Sequence, residues 1–116
     1  AASDVYKRQE IIIADHLRRY GVVYKYEKPL ELTVHGRRVT FYPDFTVMNS
    51  RTGRIYYLEH FGMMDNEDYY NAVLRKLDAF EMNQLLIGRD VLLLHESSSA
   101  PLNTRVLDCY IQEYLV

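Results

Sequence analysis

The sequence predicts an α/β domain with the element order αβββαβα, and three observations carry that prediction. Residues 10–20 and 65–86 each repeat apolar side chains at helical spacing. Between them lie three stretches rich in Val, Tyr, Thr and Phe, separated by turn clusters at 35–37 and 49–53. After the second helical stretch, the run Val91-Leu92-Leu93-Leu94 has the continuous apolar character of a buried strand.

Each element follows from its residues. Ile13, Ala14, Leu17 and Tyr20 form one stripe of the first helix while Asp15, Arg18 and Arg19 face away, and Gly21 ends it. Residues 23–34 read as the first strand, with Pro29 marking a bulge or an edge position. His35-Gly36-Arg37 is a turn, residues 38–48 are the second strand, and 54–61 are the third. Asp65-Asn66-Glu67-Asp68 places acids where the second helix begins. Its apolar face carries Tyr69, Tyr70, Val73, Leu74, Leu77 and Phe80, and the pattern runs to about Leu86. Residues 97–101 read as a loop, and Asn103 or Thr104 caps a last helix ending near Leu115.

Bulk properties narrow the function. The chain has 116 residues with 48% hydrophobic and 26% charged, which fits one packed domain. Its net charge of −2 is no general basic footprint for nucleic acid, although a local patch remains compatible with it. Arg37, Arg38, Arg51 and Arg54 fall at the turns of the sheet, as a nucleic-acid patch or as solvated turn charges. The single cysteine, Cys109, allows no internal disulfide and fits a reducing cytoplasmic setting. No apolar run approaches the ~20 residues that span a bilayer. Residues 1–9 resemble a translated sequencing adapter of the kind found at the ends of metagenomic reading frames. The expected organisation is therefore a non-native leader at 1–9 and a single domain at 10–116, the alternative being a natural extension of the first helix.

The chemistry is concentrated in one hairpin. Tyr42-Pro43-Asp44-Phe45 lies on one strand and Tyr57-Leu58-Glu59-His60 on the next. A hairpin that pairs Met48 with Ile55 also sets Asp44 opposite Glu59. Like charges opposed across two strands destabilise a sheet. A divalent cation held between them is the simplest reason to keep the pair.

Helix, hairpin with Pro43-Asp44 and Glu59, helix and strand together resemble the PD-(D/E)XK nuclease superfamily, and Glu59-His60-Phe61-Gly62 is similar to nuclease segments fused to DNA helicases. The resemblance implies a restriction-endonuclease-like core with a mixed central four-stranded sheet flanked by helices. It implies DNA hydrolysis with Mg²⁺, for which Mn²⁺ substitutes, and a helicase or larger host polypeptide as a possible context. Asp44 and Glu59 are then the primary metal ligands. Glu10, on the buried stripe of the first helix, is a third ligand or an ordinary first-turn acid. The resemblance adds the backbone carbonyl of His60, whose side chain alternates to the opposite face of the sheet.

One position departs from the family pattern. The usual lysine, two residues after the second acid, is Phe61 here. Lys76 on the following helix is the candidate replacement for stabilising phosphoryl charge, against a plain reading as a lysine covering the core edge. Tyr42 and Tyr57 flank the acids, either to contact bases and phosphates or to pack on the sheet. Glu96 reads as a rim or capping acid. His16, His35, His60 and His95 have no zinc-like spacing.

The expected function is Mg²⁺-dependent DNA hydrolysis, with Asp44, Glu59 and Lys76 as the catalytic set and Tyr42, Tyr57, Arg37 and Arg38 as nucleic-acid contacts. The competing expectation is an inactive module of the same fold that binds nucleic acid or a protein partner, motivated by Phe61 and the absent basic balance.

Overall fold

The computed structural model describes residues 2–63, 65–97, 99 and 101–116, with side chains described from Arg8 onward. Helix α1 (Ala2–Arg19) leads into β1 (Val23–Tyr26), β2 (Leu30–Val34), β3 (Arg37–Phe41), β4 (Phe45–Met48) and β5 (Ile55–Phe61). Then come α2 (Glu67–Met82), β6 (Val91–His95) and α3 (Thr104–Tyr110), which continues as a π-helical turn through Ile111–Leu115. The protein is thus an α/β fold with a mixed four-stranded sheet and three helices among the described residues.

The sheet runs β1-β4-β5-β6. β1 and β4 are antiparallel, β4 and β5 are antiparallel, and β5 and β6 are parallel. Parallel neighbours need a crossover, and α2 supplies it. Side-chain alternation sorts the strand residues to two faces. Phe45, Val47, Tyr56, Leu58, Leu92 and Leu94 face Ile13 and Leu17 of α1 and Leu107 of α3 in one core. Val91, Leu93 and Tyr57 face Phe80 and Ala79 of α2 in the other.

Two expected strands are each broken in two. The stretch 23–34 divides at Glu27, whose φ of +49° no strand tolerates, followed by Pro29. The stretch 38–48 divides at Tyr42-Pro43-Asp44, since Pro43 has no N–H for a ladder. The freed segments form a separate two-stranded hairpin, β2–β3. His35 and Gly36 turn it with φ of +49° and +78°, the pair of positive values a two-residue hairpin turn requires. Leu32, Leu30 and Val34 seat it on the α2 side of the sheet. Asn83 clamps it, accepting from the Thr33 N–H at 3.0 Å and donating to the Thr33 carbonyl at 2.9 Å.

The helices differ from the expected bounds at their ends. α1 begins at Ala2, because residues 2–9 contain no glycine or proline to break it. α2 starts under an Asn66 cap that accepts from the Tyr69 N–H at 3.0 Å. It stops at Met82 rather than Leu86, because Gln84 takes a positive φ of 59°. The β4–β5 turn is held by buried Asn49. Its Oδ1 accepts from the Arg51 and Thr52 N–H groups, and its Nδ2 donates to the Tyr114 carbonyl at 2.9 Å. No described helix is long and apolar enough to cross a membrane.

Candidate functional site

The β4–β5 register brings the two hairpin acids together. Phe45 pairs with Leu58 and Met48 with Ile55, the register expected from the sequence. Asp44 lies one residue before the ladder begins, opposite Glu59. The Asp44 N–H donates to Glu59 Oε1 at 3.2 Å, and the His60 N–H donates to Asp44 Oδ2 at 2.7 Å. The two carboxylates are therefore oriented by each other's strands.

Lys76 completes the group. It comes from the third turn of α2 and places Nζ 2.6 Å from Glu59 Oε2. Glu59 is fully buried, while the Lys76 side chain is 23% exposed. Asp44, Glu59 and Lys76 line one cavity of about 200 Å³ with His60, Phe61, Tyr69, Ala72 and Val73. Phe61 forms part of the wall. Tyr69, which the sequence placed on the apolar face of α2, lines the cavity and accepts from the Gly62 N–H at 3.1 Å. Its place two helical turns before Lys76 on the same face of the helix is the sequence signal for it.

Electrostatics follow from burial and crowding. Burial pushes the Glu59 carboxyl up to about 7; the neighbouring Asp44 charge adds to this, and the Lys76 ammonium opposes it. Burial also raises the Asp44 carboxyl, against the His60 N–H and Lys76, which hold it down.

The remaining expected residues lie elsewhere, and so does the side chain of His60, whose backbone alone meets the acids. Glu10 opens onto a different cavity, where its carboxylate accepts from the Tyr26 hydroxyl. Its carboxyl is raised by burial, and the Asp44 and Glu27 charges add to that rise. The His60 side chain is buried on the α1 face, with Nε2 3.1 Å from Glu96 Oε2. Glu96, expected as a rim acid, reaches inward to this histidine. Tyr57 stacks on Phe80 with ring centroids 6.1 Å apart, inside the α2 core. Tyr42 is exposed on the link between β3 and β4. Arg37 and Arg38 are exposed on the hairpin, where Arg38 pairs with Glu31 at 2.9 Å. None of these four lines the Asp44–Glu59 cavity.

Two carboxylates, hard oxygen donors facing one cavity, suit a divalent cation that keeps most of its waters or takes substrate oxygens. Among the described residues, no three His, Cys, Asp or Glu side chains converge into a metal-binding cluster. Asp44 and Glu59 are the pair that would hold such an ion. No protein-family model, curated protein or solved structure matches the chain.

Proposed function

We propose that the chain is a Mg²⁺-dependent nuclease of the PD-(D/E)XK kind that hydrolyses DNA phosphodiester bonds. The supporting observation is the meeting of Asp44, Glu59 and Lys76 on one cavity, with Lys76 Nζ 2.6 Å from Glu59 Oε2. Lys76 supplies from α2 the cation that β5 lacks at Phe61. The sheet order also suits a restriction-endonuclease-like core, with β2–β3 as an excursion between β1 and β4.

Asp44 and Glu59 would hold the Mg²⁺, which when bound supplies Lewis acidity and an activated water. The protein's own groups do the rest. The Asp44 and His60 N–H groups fix the two carboxylates, so their positions are set before substrate arrives. The Lys76 ammonium has three donors. One engages Glu59, and the others can face the anionic phosphate, where charge builds as the bond breaks. Tyr69, anchored at Gly62, closes one wall.

Purified protein incubated with supercoiled DNA and Mg²⁺ or Mn²⁺ should nick it, and Asp44→Ala or Glu59→Ala should abolish the nicking. Retained cleavage in both variants rejects the reading. The binding-module reading draws on Phe61 in the wall. It is favoured if calorimetry detects no Mn²⁺ binding that depends on Asp44 and Glu59.

A further inference from the structure

We propose that the cavity between α1 and the β1 edge of the sheet takes one unpaired nucleobase bearing an amino group. This rests on the nuclease reading and deepens it, by naming single-stranded DNA as the substrate. The cavity has a volume of about 340 Å³ and is lined by Glu10, Ile11, Ala14, Tyr24, Tyr26 and Phe45. That size falls at the lower end for small-molecule sites, ~300–1,000 Å³.

Its walls are aromatic and its polar equipment is sparse. Tyr24 and Tyr26 lie on one face of β1 and meet Phe45 edge-on, with ring centroids 5.7 and 5.6 Å away. Ile11 and Tyr26 are 58% and 46% exposed, so apolar surface lies open to a flat partner. The Glu10 carboxylate, steadied by the Tyr26 hydroxyl, is the acidic group in the lining. An ionised carboxylate only accepts hydrogen bonds. It therefore favours a base whose edge offers an exocyclic amino group, the logic by which acids read cytosine N4, over thymine, whose single donor N3–H is flanked by two acceptor carbonyls that the carboxylate repels.

The position fits the cleavage site. Phe45 follows Asp44 directly, and consecutive Cα atoms stand ~3.8 Å apart. The Asp44 side chain alternates to the opposite face from Phe45, but its charge still acts on Glu10 in the cavity, so a base held there lies at the same end of β4 as the acids. A base within a duplex is stacked and paired and cannot enter a lateral cavity without being flipped out. The net charge of −2 gives no general basic footprint, and stacking on the aromatic lining supplies affinity that does not depend on charge.

The test is binding without metal. Labelled trinucleotides carry a central cytosine, thymine or abasic residue between abasic neighbours, and fluorescence anisotropy is read in EDTA. Cytosine should bind about tenfold more tightly than the abasic probe, the scale of one base–aromatic stack, and more tightly than thymine. Ala14→Met, which fills the cavity, should lose that tenfold. Glu10→Gln, whose amide both donates and accepts, should erase the cytosine preference. If Ala14→Met does not fold by circular dichroism, Glu10→Gln decides alone. Equal affinity for cytosine and abasic probes, or an unchanged preference in Glu10→Gln, overturns the proposal. Nicking that depends on Asp44 and Glu59 without base-dependent binding defeats the cavity proposal alone. Base-selective binding without any nicking defeats the nuclease reading alone.

Discussion

The backbone N–H of His60 donates to Asp44 Oδ2 at 2.7 Å, so one acid of the site is held by the strand that carries the other. Two carboxylates that repel are thereby kept adjacent by main-chain geometry.

Glu59 should make stability fall as pH rises. Its folded carboxyl titrates at about 7, above the unfolded value near 4.3. Between those values the folded state binds more protons than the unfolded state, so unfolding free energy declines with pH and levels off above 7. Urea unfolding at pH 5 and pH 8 should show wild type losing on the order of 1–3 kcal/mol more than Glu59→Gln across that window. Parallel pH profiles for the two proteins would contradict this.

Lys76→Met should leave Glu59 buried beside Asp44 without its cation. A loss of about 1–3 kcal/mol is expected at pH 8, below the value for a fully buried pair because Lys76 is partly exposed. The loss should shrink at pH 5, where Glu59 is protonated. Adding Glu59→Gln to Lys76→Met should restore most of it. A double-mutant cycle with no coupling would show that the 2.6 Å contact contributes nothing.

Divalent cations should raise the melting temperature more at pH 8 than at pH 5. Proton and metal compete for the same carboxylates, and only the ionised pair binds. Thermal unfolding with and without millimolar Mn²⁺ tests this in wild type and Asp44→Asn. An equal shift in both proteins would place the ion elsewhere.

Asn83→Ala should loosen the hairpin without disturbing the main sheet. Asn83 is bonded to both main-chain groups of Thr33 and to the Ala79 carbonyl at 2.8 Å. Its removal should cost about 1–3 kcal/mol. Hydrogen exchange should speed up in β2 and β3 while β5 and β6 stay protected.

The sequence was legible where a single alternation set the answer. The pairing of Met48 with Ile55 follows from the turn and the apolar pattern, and it carries Asp44 to Glu59. It was opaque where a backbone dihedral decided. Nothing in Glu27 announces a positive φ, so β1 and β2 read as one strand. Pro43, a partner in the chemical motif, also ends a ladder, and the two roles compete in the same letters. Lys76 was reachable because helical spacing placed it at the margin of an apolar face. The His60–Glu96 contact was not, because it joins the ends of two parallel strands that meet only through the α2 crossover. The aromatic setting of Glu10 was hidden for a similar reason: it depends on β1 lying at the sheet edge beside α1.

Among the described residues, the β2–β3 hairpin pairs with no strand of the main sheet. The cost of closing a loop grows only with the logarithm of its length. Residues added at the His35-Gly36 tip would therefore leave the β1–β4 register, and with it Asp44, in place. The tip is a natural point for grafting a peptide tag, a fluorophore or a targeting loop, because Asp44 and Glu59 keep their spacing through the β4–β5 register.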